Sequence, residues 1–425
     1  MTSRLKFGDC AELRSEKVDP KTSQESKYIG LEHIEQQSLS LAGYGFGSDV
    51  DSQKQKFYKG DILFGKLRPY FRKVVVAPFD GICSTDIWVV KPKAGVDRNF
   101  LFYWMASEEF IASSTQASEG GRMPRAKWDW VSRFELKFRD FDEQKAIGKV
   151  LRLLDEKIEV NKAVAQTLED IAETIFKSWF VDFDPVKLKM AGMKPSGMST
   201  ALAALFPDSM VDSEIGLIPK GWEVKNLGDV LTALETGKRP RGGAQEEGIP
   251  SIGAESVRGL GKFNYSTTKY VSEEYYQRMP TGKVRPYDVL IYKDGAGAGS
   301  FVAMLGESFP FKDFAINEHV FLLRSNKVPQ IYLFEWMNND KQKRLMVELA
   351  QKSAQPGLNQ QDTKAIPILV PSVQACKAYE DSVKSIISCI MRNAIQNRTL
   401  DQLRDSLIPR LISGELKISA ELIAS

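Results

Sequence analysis

Five short stretches carry side chains that could hold a polyanion or read a base edge. Lys66-Leu67-Arg68-Pro69-Tyr70-Phe71-Arg72-Lys73 is cationic, with Tyr70 and Phe71 interleaved. Glu119-Gly120-Gly121-Arg122-Met123-Pro124-Arg125 adds two arginines beside glycines that permit close backbone approach to a ligand. Thr236-Gly237-Lys238-Arg239-Pro240-Arg241-Gly242-Gly243 is a third cationic Gly/Pro loop, and Lys293 opens the Gly-rich run 293–300. Gln355, Asn359 and Gln360 punctuate a fifth, polar stretch. Lysine and arginine bind phosphates through charge, and arginine can also take guanine bidentately in the major groove. Gln and Asn amides match adenine edges. The competing reading of each stretch is a solvated turn. The candidate contacts are therefore Lys66, Arg68, Tyr70, Arg72, Lys73, Arg122, Arg125, Lys238, Arg239, Arg241, Lys293, Gln355, Asn359 and Gln360.

Catalytic residues are harder to find. No Asn/Asp-Pro-Pro-Tyr/Phe motif for adenine methylation occurs, and the glycines of 293–300 lack the GxxxxGK[ST] pattern of a phosphate cradle. The chain has only two histidines, and its four cysteines (Cys10, Cys83, Cys376, Cys389) show no CxxC spacing. Neither a metal site nor a cofactor is expected, and reduced thiols of a cytoplasmic protein are. Chemistry on a base would require flipping it into a pocket carried by another chain.

The elements that position these loops come from a repeat. The apolar residues Ile147, Leu151, Leu154, Ile158, Ala165, Leu168, Ala172, Ile175 and Trp179, with Asn161 among them, alternate between steps of four and three residues. That is a heptad seam, so 142–184 should be one long helix paired with another. TLEDIAETIFKSWF from Thr167 aligns without a gap on TLDQLRDSLIPRLI from Thr399, an offset of 232. Gly60-Asp61-Ile62-Leu63 matches Tyr287-Asp288-Val289-Leu290, and Tyr28-Ile29-Gly30 matches Ser251-Ile252-Gly253. The expected order is a globular unit (1–141), a long helix (142–184), a linker (185–220), a second globular unit (221–370), a second helix (371–414) and a tail (415–425). Strands are expected at 61–64, 73–77 and 87–90 and a short helix at 101–107. Pro409 should kink or end the second helix, and Gly414 should close it. The fold class is α+β, with two duplicated domains of small mixed or antiparallel sheet and short helices.

A chain of 425 residues exceeds one core. Hydrophobic content of 43% and charged content of 27% are those of an ordinary globular protein. No run of eighteen apolar residues exists to cross a membrane, and the N-terminal residues do not form the apolar core of a signal peptide. Residues 1–141 hold 22 basic and 19 acidic side chains, and 216–370 hold 20 and 17, so each is net +3. The helical stretch 142–190 holds 8 and 10, net −2. Two DNA-facing units fit this distribution, and so does a coiled-coil scaffold or adhesion protein without DNA specificity.

Particular segments narrow the choice. Phe176-Lys177-Ser178-Trp179-Phe180-Val181-Asp182-Phe183-Asp184-Pro185 ends the first helix. Phe206-Pro207-Asp208-Ser209 and Ser213-Glu214-Ile215-Gly216-Leu217-Ile218-Pro219-Lys220-Gly221-Trp222 mark the linker, and Leu227-Gly228-Asp229-Val230 opens the second unit. Leu407-Ile408-Pro409-Arg410-Leu411-Ile412-Ser413-Gly414-Glu415 closes the helix. Together they resemble the specificity (S) subunit of Type I restriction-modification enzymes, over essentially the whole chain. The first unit departs from the pattern in lacking the Pro-Lys-Gly-Trp start.

The resemblance implies two target recognition domains, each reading half of a split double-stranded DNA site in the major groove. It implies that the two helices pack antiparallel, set the unread gap and dock two DNA adenine methyltransferase subunits. Restriction and translocation subunits would join that core, and this chain would carry no catalysis. From the seam, Asn161 and Asn393 are expected near the crossing point as register devices, since a buried seam Asn sacrifices stability for register. A slip of one heptad would move the readers by about 10 Å, nearly three base pairs.

Overall fold

The structure is a computed structural model that describes residues 4–418, apart from 120, 138, 241, 353 and 354. Two compact units emerge, and neither is one continuous stretch of chain: the first is 1–159 with 398–425, the second 160–397. Both long helices contribute a segment to each unit.

The first unit is built around a four-stranded sheet in the order Ala11–Leu13, Ile87–Pro92, Ile62–Gly65, Val74–Val76. These strands form where Val and Ile alternate or run together between Gly and Pro punctuation. Ile62–Gly65 is buried throughout, so its sheet is covered on both faces. Helix Arg98–Met105 packs its buried residues Phe100 to Met105 into the same core. Asp97 caps it by accepting from the Phe100 amide at 2.9 Å. A five-stranded sheet centred on Gly81–Cys83 completes the unit, with one parallel pair between Lys27–Ile29 and Gly81–Cys83.

The second unit repeats this plan. Its four-stranded sheet runs Leu231–Thr236, Val320–Ser325, Val289–Tyr292, Val302–Met304. Its parallel pair joins Ile249–Ile252 to Ala315–Ile316, and Gln330–Asn338 stands where Arg98–Met105 stands. The duplication thus holds at the level of strand order.

The long helices are Phe141–Phe176 and Val373–Ser413. At 1.5 Å per residue they measure about 54 and 62 Å. They run antiparallel inside each unit. In the first unit, Arg139 just before the first helix donates to the Ile412 carbonyl, and Asp155 meets Arg404. In the second unit, Asn161 meets Asn397 and Tyr379 donates to the Ala172 carbonyl. Ile147, Leu151, Ile408 and Leu411 join the first core, while Ala172, Phe176, Tyr379, Val383 and Ile390 join the second.

Three expectations need correction. The first helix does not run evenly to Asp184: a wide π-type turn at Lys177–Val181 follows Phe176. Asp184-Pro185 then starts a new short helix, Asp184–Met190, because proline suits a first helical position. The linker is more ordered than its composition suggests. It holds this helix, helix Thr200–Ala204 and a ribbon of Met210–Val211 with Ile218–Pro219, and Val186, Phe206 and Trp222 anchor it in the second core. Pro409 neither ends the second helix nor is buried in it; the helix passes through it to Ser413, and Gly414 closes it at φ +77°. Proline costs one intrahelical hydrogen bond. The loss is tolerated because Ile408 and Leu411 on either side are packed in the core.

Candidate nucleic-acid interface

Distant segments of the first unit are drawn together by backbone hydrogen bonds. The Lys66 amide donates to the Asp86 carbonyl at 2.9 Å, the Arg68 amide to Pro124 at 2.8 Å and the Ala126 amide to Lys66 at 2.9 Å. Leu67 and Arg125 form a bridge. In the second unit the Lys293 amide donates to the His319 carbonyl at 3.0 Å, the Gly295 amide to Pro356 at 3.0 Å and the Leu358 amide to Lys293 at 2.9 Å. Asp294 and Gly357 form the matching bridge. Position by position, Lys66 corresponds to Lys293, Arg68 to Gly295, Asp86 to His319, Pro124 to Pro356 and Arg125 to Gly357. One frame of three loops is built twice, and its side chains differ. Each unit thus carries its own copy of the same backbone frame.

The frame is held in place by the sheet, since Lys66 and Lys293 directly follow the buried strands Ile62–Gly65 and Val289–Tyr292. Around the Pro69–Phe71 turn, Arg68 and Arg72 both take left-handed conformations, at φ +51° and +48°. For non-glycine residues that strain costs on the order of 1–3 kcal/mol each, and it persists only where surroundings over-determine it.

The expected contact residues then divide. Arg122 is exposed, and its carbonyl accepts from Arg68 Nη2 at 3.1 Å. Arg68 Nε is buried without a partner among the described residues. Tyr70 is 44% exposed and packs edge-on against Phe71. Arg125 is exposed and paired with Asp86. Lys66 is half-buried.

Arg72 is turned inward. It is buried, its Nε donates to the Ala106 carbonyl at 2.7 Å, and its Nη atoms meet Asp405 at 3.3 and 3.0 Å. Lys73 points its ammonium at the Leu31 carbonyl, and burial lowers its pKa. Both side chains therefore brace the loop.

In the second unit, Lys238 is exposed. Arg239 meets Glu318 at 2.8 Å. Lys293 meets Asp294 at 2.7 Å, and His319 Nδ1 lies 3.2 Å from the same carboxylate. Asn359 caps helix Gln360–Lys364, and its amide group also meets Asp362 at 2.9 Å. Gln355 and Gln360 are exposed. Arg241 lies outside the described residues.

Sequence reading missed the carboxylates Asp86, Asp294 and Glu318 and the imidazole of His319 beside these cations. One signal was available: Asp86 and His319 immediately precede matching strands, Ile87–Pro92 and Val320–Ser325. It also missed a buried cluster in the first unit. Arg404 is 1% exposed, and its Nη1 lies 2.7 Å from Asp155, whose other oxygen accepts from Tyr103 Oη at 2.6 Å. Asp401 and Asp405 lie 2.9 and 3.1 Å from the same guanidinium. Burial works to lower the Arg404 pKa, but Asp155, Asp405 and Asp401 outweigh it and raise the value. Asn161 and Asn393 were expected near the crossing point of the helices. Asn161 Nδ2 donates to Gln396 Oε1 at 2.8 Å and Asn397 Oδ1 at 2.9 Å, so its partners on the other helix lie three and four residues beyond Asn393.

A mount built twice with altered side chains defines a class of duplicated recognition proteins. The family model described as Type I restriction modification DNA specificity domain matches residues 4–170 and again 219–403. The chain belongs to that family. It is 27% identical over 420 residues to the Type I restriction enzyme HindI specificity subunit of Haemophilus influenzae, covering 87% of this chain and 89% of that protein. It is 26% identical over 365 residues to the MjaIX specificity subunit of Methanocaldococcus jannaschii, covering 85% and 79%. Among solved structures, the S subunit of a Type I restriction-modification system from M. genitalium shares the fold at a TM-score of 0.53. That match has 14% identity and covers 99% of this chain and 97% of that one. No described helix is long and apolar enough to cross a membrane.

Proposed function

We propose that each of the two loop frames reads one half of a bipartite double-stranded DNA target in the major groove. The long helices set the unread gap and dock two DNA adenine methyltransferase subunits, which restriction and translocation subunits join. Adenine methylation and ATP-dependent cleavage are carried by those partners, in the cytoplasm. The observation that carries this reading is the repeated frame, in which Arg68, Asp86 and Arg125 are replaced by Gly295, His319 and Gly357 on the same backbone hydrogen bonds. A fixed mount with exchanged side chains is what reading two different base blocks demands, since base contacts specify and the rest positions.

Docking on the helices is supported by a stripe on the first. Val160, Val164 and Ile171 are 55%, 42% and 43% exposed at helical spacing. Their counterparts 232 residues on are Arg392, Gln396 and Leu403. Unpaired apolar spacing of this kind fits a partner helix.

The test is the methylated-adenine motif in cells that carry this chain with its methyltransferase subunit. Two short specified blocks separated by unspecified base pairs are expected. A continuous motif would refute the proposal.

A further inference from the structure

We infer that Arg125 reads a guanine in the first half-site and that Asp86 is the residue that positions it. The inference rests on the proposed reading role of the loop frame and names one of its contacts.

The geometry begins at the guanidinium. Asp86 takes Nε at 2.7 Å and Nη2 at 3.1 Å through its two oxygens, a bidentate pair. One edge of the planar group is thereby filled. The outer edge, formed by Nη1 and the second hydrogen of Nη2, meets no acceptor among the described residues. Two parallel N–H groups on that edge match the O6 and N7 acceptors of guanine in the major groove. The side chain of Arg125 is 46% exposed and that of Asp86 24%, so the carboxylate is the inner member and the guanidinium the outer.

Stability does not account for the pair. An ion pair this exposed contributes little to folding. Holding a long side chain in its bound rotamer beforehand does lower the entropy cost of making a contact. Both partners are anchored to the same frame, Asp86 through its carbonyl to the Lys66 amide and Arg125 through its bridge to Leu67. The second unit keeps the frame and drops the device: His319 and Gly357 occupy the two places. Guanine reading at this point therefore belongs to the first half-site, and the two halves of the target differ there.

The full chain is co-produced with its methyltransferase subunit, and the methylated motif is mapped for wild type, Arg125→Ala, Arg125→Lys, Asp86→Asn and, at a second arginine of the same loop, Arg122→Ala. The expected result is loss of guanine preference at one position of one half-site in Arg125→Ala, and a weaker preference there in Arg125→Lys and Asp86→Asn. The drop is roughly 5- to 150-fold, with the other half-site unchanged as an internal check on assembly. Arg125→Ala is decisive, because it removes every donor from the base edge, whereas the lysine ammonium can still reach O6 or N7. A motif that survives Arg125→Ala overturns the inference, and so does a half-site without guanine. Should a variant abolish methylation, competitive binding of the purified complex to duplexes carrying each base at that position gives the same comparison. If Arg122→Ala alters the motif and the other variants do not, this inference falls and the proposed function stands. If no first-unit loop variant alters it, the proposed function falls as well.

Discussion

Arg404 and Asp155 show how much a single charged side chain can be asked to do. The pair lies where both long helices meet Tyr103 of the first unit. Removing one member strands the other in a poorly solvated place, so Arg404→Ala should cost about 3–5 kcal/mol in urea unfolding. The double variant Arg404→Met with Asp155→Leu should recover most of that, because well-packed apolar side chains often replace a buried pair without loss. A double variant as unstable as Arg404→Ala would contradict this.

Glu335 makes a pH prediction at the same scale. It occupies the place of Tyr103 in the repeat, 232 residues on. Burial foremost, then the carboxylates of Glu173 and Glu169, push its pKa up to about 8, against a weaker opposing hydrogen bond to Tyr379. In the unfolded chain the group ionises near 4.5. Between these values the folded state binds more protons, so stability falls as pH rises. The contribution is fully present below 4.5 and is lost as pH passes 8. Glu335→Gln should flatten the decline in melting temperature from pH 5 to 8 and exceed wild type above pH 8.

At the scale of elements, the helices were largely legible. A four-three alternation of apolar residues is a local, periodic signal; it announced Phe141–Phe176, and the 232-residue offset carried it to Val373–Ser413. The partner of Asn161 was not legible. An offset between repeats tells which residues are equivalent, but it does not tell where the axis between antiparallel helices falls. The structure places Gln396 and Asn397 there. Asn161→Leu should raise the melting temperature, since an apolar seam packs better, while broadening the gap length in the methylated motif. An unchanged, single gap would remove the register role. On the outer face, Ile171→Glu should weaken methyltransferase binding at least tenfold in a titration while leaving the melting temperature within a few degrees. Equal affinity would place the docking surface elsewhere.

For the whole molecule, duplication has a consequence for specificity. Each unit has its own sheet, core and frame. Changes at Arg122 should therefore alter one half of the motif, and changes at Gln355 or Gln360 the other. Alteration of both halves by one substitution would mean that the units do not read independently. Affinity for either half should fall steeply with salt, because Lys66, Arg68 and Arg122 of the first unit and Lys238 of the second are left to meet phosphates.

The amino-acid order alone determined the duplication, the heptad seams and the loops where cations gather, because these are patterns of spacing that any local reading detects. Which cations remain available was decided only in three dimensions. Arg72 is claimed by Asp405, more than three hundred residues away in the chain, Arg125 is aimed by Asp86, and Arg239 is held by Glu318. A charge is free or spoken for according to the carboxylates the fold brings beside it, and those partners come from distant segments that share no periodicity with it.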